Sequence, residues 1–406
     1  MSKKKPSPGL KYMKELGFRA GKNYSSAMQR IKNIAGETVA ERVDQLVQER
    51  ANGKRNDEVF YAYKNQSQQL SMTITNAFDS DILRKACDWI AKNQDCFGDT
   101  ILEVGCDCGI MTCFLAKTFP NAQITAIDKC TAGIENAKKL ADTFGVTNVN
   151  FIACALTEVP DKYDTVFCMR TLRENVDLKE DILNDITVQA DIFKPTVSAY
   201  IRQLHEKTKN AGNLIFIEKM NLDALFLSVI TALKEDNMMI NLRNQQNIKC
   251  NELGHETHIQ AFSVTAFETD ILHDETMEAD NDETSQEITP FELFTYACRK
   301  ELNFDLSLYF GWNAKIVYEA KRGELITGYK VKSTDPFTKA VYTLWTHKYD
   351  PTGLLSYENI NGNVRLGFMD ISEKDRMILQ LKNVLNQAKH QNPFLMIEEL
   401  KDTNKE

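Results

Sequence analysis

The chain has 406 residues, more than one domain usually holds, and 43% of them are hydrophobic, ample for a core. A formal net charge of −8 argues against a broad nucleic-acid-binding surface. No run of roughly 18 apolar residues occurs, which excludes a membrane-spanning helix.

The chain opens on a basic arm carrying Lys3, Lys4, Lys5, Lys11, Lys14, Arg19, Lys22, Arg30 and Lys32. Charge lies at the front with no apolar stretch behind it, so no secretory signal is expected and a cytoplasmic setting is. Most such arms are solvated tails; the functional alternative is a grip on RNA or an acidic partner. Val39, Val43, Leu46 and Val47 then recur at helical spacing, with Thr38 read as the cap and Glu41 completing a capping box. That helix is expected to act as a lid over a cleft or as a cover for a sheet. Phe60-Tyr61-Ala62-Tyr63-Lys64-Asn65-Gln66-Ser67-Gln68-Gln69 mixes aromatics with amides, able to stack on a flat ring, although aromatics more often serve packing. Residues 79–92 read as a helix with Ile82, Leu83, Ala86, Trp89 and Ile90 on one face.

The most informative stretch follows. Ile101-Leu102-Glu103-Val104-Gly105-Cys106-Asp107-Cys108-Gly109 is an apolar run ending in an acid and a loop with glycine at both ends; after an apolar helix, Ile124-Thr125-Ala126-Ile127-Asp128 ends in a second acid. In parallel sheets, ligands sit beyond the carboxyl ends of strands, where loops meet helix N-termini. Gly105 and Gly109 are expected to let backbone approach a ligand closely. Asp128, an acceptor-only carboxylate, is placed for two ribose hydroxyls. Glu103 would repel a pyrophosphate and welcome an amino group or a sulfonium.

This stretch resembles the first motif of class I S-adenosylmethionine-dependent methyltransferases, an acid, any residue, then Gly-x-Gly-x-Gly. Asp107 stands at the middle glycine, a tolerable departure because Asp enters left-handed backbone at modest cost. Further pieces match in order: Asn150-Phe151-Ile152-Ala153-Cys154-Ala155 as the third strand, Tyr163-Asp164-Thr165-Val166-Phe167-Cys168-Met169-Arg170 as the fourth, and Gly212-Asn213-Leu214-Ile215-Phe216-Ile217-Glu218 as the fifth, entered through a Gly turn. A helix over 223–239 and two strands around 248–251 and 258–264 complete the antiparallel hairpin of that family. The match covers roughly residues 79–268.

The resemblance implies an α/β fold, a Rossmann-like seven-stranded sheet with helices on both faces, and S-adenosylmethionine as cofactor. It implies contacts from Glu103, Gly105, Cys106, Asp107, Gly109, Asp128, Lys129, Cys154, Ala155 and Met169. Cys154 replaces the acid such enzymes often present to adenine, leaving that task to backbone or to Glu158. Methyl transfer is an in-line displacement governed by alignment. Arg170, Arg173, Glu174 and Asp164 are candidates for proton handling, but no Asn-Pro-Pro-Tyr signature or paired-Glu loop is present, so catalytic residues stay unassigned. Arg170 and Arg173 would suit an acidic acceptor, with ion pairs to Glu174 or Asp177 as the structural alternative. A small molecule or a protein is favoured over nucleic acid as acceptor. A catalytically inactive, methyltransferase-like interaction protein is the alternative, motivated by Asp107 and Cys154. A nicotinamide dehydrogenase lacks its Gly-x-Gly-x-x-Gly.

Of ten cysteines, Cys106, Cys108, Cys113, Cys130, Cys154 and Cys168 lie in or beside these elements and read as small buried hydrophobes. Without a CxxC pair no metal site is expected; His255 and His258, at i, i+3, follow Gly254, where a turn and a strand are expected rather than a ligand helix.

Glu268, Asp270, Asp274, Glu275, Glu278, Asp280, Asp282, Glu283 and Glu287 form an acidic stretch without Lys or Arg, read as a linker. Thr289, Pro290 and Glu292 then open a new helix. In the last part, Lys321-Arg322-Gly323-Glu324 reads as a turn between strands 315–320 and 325–331. Strands follow at 340–347, 354–358 and 364–369, with a helix at 373–388 bearing Met377, Leu381, Val384 and Leu385. Trp345, Tyr342, Tyr349 and Tyr357 are either core or a recognition surface. The expected division is arm and helix 1–58, cofactor domain 59–268, linker 269–289, and an α+β accessory module 290–406 matching no known motif.

Overall fold

A computed structural model describes residues 5–19, 21–52, 54, 56–176, 186–220, 223–267, 322–333, 339–348, 351–360 and 363–400. Its centre is a seven-stranded sheet in the order β3-β2-β1-β4-β5-β7-β6. The strands are β1 (Thr100–Val104), β2 (Gln123–Asp128), β3 (Val149–Ala153), β4 (Tyr163–Met169), β5 (Thr208–Glu218), β6 (Met238–Glu252) and β7 (His255–Ala266). β1 to β5 are parallel, while β7 runs antiparallel to β5 and to β6. The chain leaves β1 to build β2 and β3 on one side, then returns to β1's other edge with β4, so a crevice opens where β1 and β4 lie side by side.

Alternation along each strand divides the core between the two faces. Leu102, Val104, Val166, Cys168 and Phe216 face one side, against Phe193, Ile201 and Phe226 of α10 (Ile186–Glu206) and α11 (Asp223–Glu235). Ile101, Ile124, Phe167, Ile215 and Ile217 face the other, against Trp89, Ile90, Phe114 and Leu115 of α6 (Ser80–Lys92) and α7 (Ile110–Thr118). Period two therefore turns Glu103 toward α7 with Ile101. Its pairing partners in the sheet are Ala126 and Phe167.

The N-terminal helices are α1 (Pro8–Glu15), α2 (Tyr24–Ala35), α3 (Glu37–Ala51), α4 (Asp57–Lys64) and α5 (Gln68–Phe78). α1 lies on α6, and the Tyr12 hydroxyl donates to the Ile110 carbonyl at 2.7 Å. α2 to α5 share their own core of Ile31, Val43, Leu46, Phe60 and Ile74. The apolar stripe of α3 is where its spacing places it, but Thr38 is not the cap. α3 starts from Gly36, at φ +96, with no side-chain cap, because α2 ends there and the two helices share one tight turn.

β5 starts at Thr208, so Gly212 lies within the strand and is no entry turn. A Cβ there would meet the Lys209 carbonyl at 2.8 Å and that of Asp164 at 2.9 Å. The glycine is set by close backbone approach where the β4–β5 register shifts.

A second sheet, antiparallel in the order β11-β10-β9-β8-β12, comprises β8 (Arg322–Lys332), β9 (Lys339–His347), β10 (Gly353–Ile360), β11 (Asn363–Asp370) and β12 (Met396–Glu399). The expected turn at 321–324 is corrected: Arg322 already pairs with His347, and Glu324 N–H donates to Thr346 Oγ1 at 2.8 Å. Trp345 is core, 5% exposed, with Nε1 donating to Thr343 Oγ1 and Arg322 over its ring. On α12 (Lys374–Gln391) Leu385 is buried, whereas Val384 is exposed. The acidic stretch, the Thr289 helix start, strand 315–320, Tyr349 and Asp177 lie outside the described residues. No described helix is long and apolar enough to cross a membrane.

Candidate active site

The functional groups gather at the carboxyl ends of the parallel strands. Beyond β1, the chain makes a loop of left-handed residues, Gly105 at φ +75, Asp107 at +46 and Gly109 at +78, before α7 begins. The loop is tied to β2, because the N–H groups of Gly105 and Cys106 both donate to the Ile127 carbonyl, at 2.8 and 3.0 Å. The two glycines make room for protein: a Cβ on Gly105 would lie 2.6 Å from Thr171 Cγ2, and one on Gly109 2.7 Å from Ala137 Cβ on α8 (Thr131–Phe144). Gly105 remains solvent-exposed on its other side.

Asp128 ends β2 half-buried. Its Oδ2 accepts from Asp107 N–H and its Oδ1 from Cys130 N–H, each at 2.8 Å, so the carboxylate is locked in one orientation. Burial holds its pKa above the usual carboxylate range, and the two N–H groups oppose that. Glu103 is 3% exposed, and its Oε2 is buried with no hydrogen-bond partner. Burial pushes its pKa up to about 7, opposed by the nearby Thr112 hydroxyl and reinforced by Asp128. A buried carboxyl oxygen without a hydrogen bond is costly, and the Thr112 hydroxyl makes none either.

Asp107 behaves in the opposite way. Burial raises its pKa, but Lys64 more than compensates and holds it below the usual range. Lys64, at the end of α4, pairs with one Asp107 oxygen, and Asn65 Nδ2 donates to the other at 2.8 Å.

Above β4 and β5 lies a set of ion pairs. Arg170, at φ +58, pairs with Asp79 and lies 3.7 Å from Glu252, which Lys219 also engages. Glu174 sits on α9 (Leu172–Asn175), where its Oε1 accepts from Tyr61 Oη at 2.5 Å and Arg50 Nη2 at 3.2 Å. Glu218, at the end of β5, is 1% exposed and accepts from the N–H groups of Thr171 and Leu172, at 2.8 and 3.2 Å. Its pKa is pushed up to about 7 by burial. Among the described residues no cluster of His, Cys, Asp and Glu is arranged to hold a metal ion.

This strand order, with its loop and paired acids, coincides with a match of residues 97–285 to the family described as a methyltransferase domain. That segment is similar to a methyltransferase domain. A curated relative, the malonyl-[acyl-carrier protein] O-methyltransferase of Priestia megaterium, is 31% identical over 116 residues, covering 29% of this chain and 35% of the relative. The chain thus spans about a third of that relative's length. Among solved structures, the N-methyltransferase NodS of Bradyrhizobium japonicum shares 15% identity at a TM-score of 0.35, covering 47% of this chain and 99% of that one. The magnesium protoporphyrin IX methyltransferase of Synechocystis, with bound SAM, shares 14% at 0.34, covering 55% and 97%.

Within the matched segment, Glu103, Gly105, Asp107 and Asp128 come together around one loop. Cys106 does not present its side chain there: it is 4% exposed, packed on Ala126 and Ile134. Lys129 is exposed, Cys154 packs partly against the core, and Met169 is half-buried against the opposite cluster. Ala155 N–H is taken by Glu158 Oε2 at 2.6 Å, so that carboxylate is engaged locally. Arg170 pairs with Asp79 and Glu252, not with Glu174, because α6 and β6 reach the end of β4. Asp164 is removed from the candidate bases: it begins β4, at the far end of the strand, accepts from Thr100 N–H and Oγ1 at 2.9 and 2.6 Å, and pairs with Lys209. Lys64 and Asn65 join Asp107 at this loop; sequence reasoning marked their segment, weighed against packing, without singling out these two residues. Their aromatic and amide-rich segment was the only signal.

Proposed function

We propose that this chain is an S-adenosylmethionine-dependent methyltransferase acting on a small-molecule or protein acceptor. The observation that carries the reading is Glu103, whose buried, unpartnered Oε2 lies beside the strand-end loop and suits the cationic amino end of the cofactor. Asp128 fits the sugar. Each of its oxygens accepts one backbone N–H and keeps a second acceptor site, enough for two ribose hydroxyls. Bound S-adenosylmethionine would supply a methyl group on a sulfonium, and its displacement leaves a neutral thioether. The chain's own task is alignment: Glu103 and Asp128 fix the amino end and the sugar of the donor, and the rim of Arg170, Glu174 and Glu218 beyond β4 and β5 bounds the space for the acceptor. The net charge of −8 favours small molecules or proteins over nucleic acid. The free described cysteines suit a cytoplasmic, reducing setting. We read the second sheet as part of an accessory module.

Calorimetry with S-adenosylmethionine, S-adenosylhomocysteine and NAD tests this. Nanomolar to micromolar binding of the first two and none of the third is expected; binding of neither sulfur compound would overturn the reading. Incubation with methyl-labelled donor and a cell lysate, followed by fractionation into protein, RNA and small molecules, identifies the acceptor class.

A further inference from the structure

Asp107 occupies the position where the methyltransferase motif has glycine, and its carboxylate is held on both oxygens by residues outside the family domain. Lys64 is 4% exposed and Asn65 1% exposed. Asn65 is itself immobilised, since Ser71 Oγ donates to its Oδ1 at 2.8 Å and Asn136 Nδ2 donates to its backbone carbonyl at 2.9 Å. The Asp107 N–H, in turn, donates to Asp128. One continuous set of hydrogen bonds therefore runs from the α4–α5 junction through the loop to the carboxylate that ends β2.

Stability alone does not account for this arrangement. Removing a lysine and a carboxylate from water costs several kcal/mol per ion, roughly what the pair returns, and apolar residues of similar volume often do as well. A buried pair does fix geometry. Here it fixes a loop whose three left-handed residues would otherwise sample other conformations. The charge on Lys64 persists, because burial opposes it but Asp107 outweighs that effect.

We propose that Lys64 and Asn65 are positioning residues of the cofactor site, holding the Asp107 loop and the Asp128 carboxylate in the shape that receives the nucleoside. The Asp107 side chain and its Lys64 partner thus replace a motif glycine, and the helices before residue 97 belong to the cofactor-binding machinery. This rests on the methyltransferase reading above.

Two measurements on the full chain test it. In amide hydrogen exchange of the unaltered protein, S-adenosylhomocysteine should slow exchange at 103–109 and also at 61–71; protection confined to 103–109 would overturn the proposal. By calorimetry, Lys64→Met should bind S-adenosylhomocysteine at least tenfold more weakly. The double variant Lys64→Met, Asp107→Gly should recover to within about threefold, because it restores glycine and leaves no unpaired charge. A folded Lys64→Met that melts earlier yet binds with unchanged affinity marks a purely structural pair and ends the idea. Should Lys64→Met fail to fold, the exchange experiment decides alone. Failure of the unaltered chain to bind S-adenosylhomocysteine would overturn the methyltransferase reading first, and this inference with it.

Discussion

The carboxyl edge of the sheet has two halves built on opposite principles. Over β1 and β2, groups are fixed but left with capacity to spare: Glu103 has an oxygen without a partner, and Asp128 is oriented by two N–H groups while retaining acceptor sites. Over β4 and β5, charge is spent internally: Arg170 is matched by Asp79 and Glu252, Glu252 also by Lys219, and Glu174 by Tyr61 and Arg50. A half meant for a ligand of fixed chemistry can hold unsatisfied groups at a cost in stability. The charge-matched half offers shape and a rim; under the proposed function, acceptor choice would depend on how these pairs open.

The sharpest way to break this comparison is Asp128→Ala. Losing two hydrogen bonds to a charged group, each about 1.5–3 kcal/mol, should weaken S-adenosylhomocysteine binding at least about a hundredfold. Thermal unfolding would establish that the variant folds. Unchanged affinity would mean that the sugar lies elsewhere.

Arg170→Ala probes the other half, with a smaller effect of another kind. It strands Asp79 and takes one cation from Glu252, which keeps Lys219. Breaking a fully buried pair costs about 3–5 kcal/mol, but the Arg170 side chain is 35% exposed, so solvent screening should reduce the loss to about 1–2 kcal/mol in urea unfolding. Cofactor affinity should stay within about twofold. A loss of affinity comparable to that of Asp128→Ala would show that the halves are not separable.

The two halves also differed in how far the sequence revealed them. A strand, loop, helix and strand unit is local, so Glu103, Gly105, Asp107, Gly109 and Asp128 stand within one short stretch, and their residue types and order announce the chemistry. Most of the strands followed from the same motifs, although β6 begins at Met238, inside the helix expected over 223–239. The charge-matched rim joins residues far apart in the chain: Asp79 to Arg170 across 91 positions and Arg50 to Glu174 across 124. Pattern reasoning set Arg170 beside its near neighbours Glu174 and Asp177, because only sequence proximity was visible. Lys64 and Asp107, 43 positions apart, escaped for the same reason. At Thr38 and at 322–324 the errors were local: a side-chain cap was inferred where Gly36 turns the chain, and a Gly-containing turn where the strand runs on.

The smallest predicted effect is a pH dependence that separates the spare acceptor capacity of Glu103 from simple burial. In the folded chain its carboxyl is raised from 4.5 to about 7, so between those values the native state holds a proton that the unfolded state has released. Stability without cofactor should therefore fall as pH rises from about 4.5 to 7 and level off above, by linkage. Glu218 is raised to about 7 by its own burial, so Glu103→Gln should remove only part of that slope. Cofactor binding should respond with the opposite sign. A cationic amino group favours the carboxylate, so affinity for S-adenosylhomocysteine should rise with pH up to about 7, by at most tenfold per pH unit, then flatten. Glu103→Gln should bind weakly with no such rise. If the variant keeps the rise, another group receives the amino end and Glu103 is merely a buried acid; if wild-type affinity is flat from pH 6 to 8, its spare oxygen does not meet the ligand.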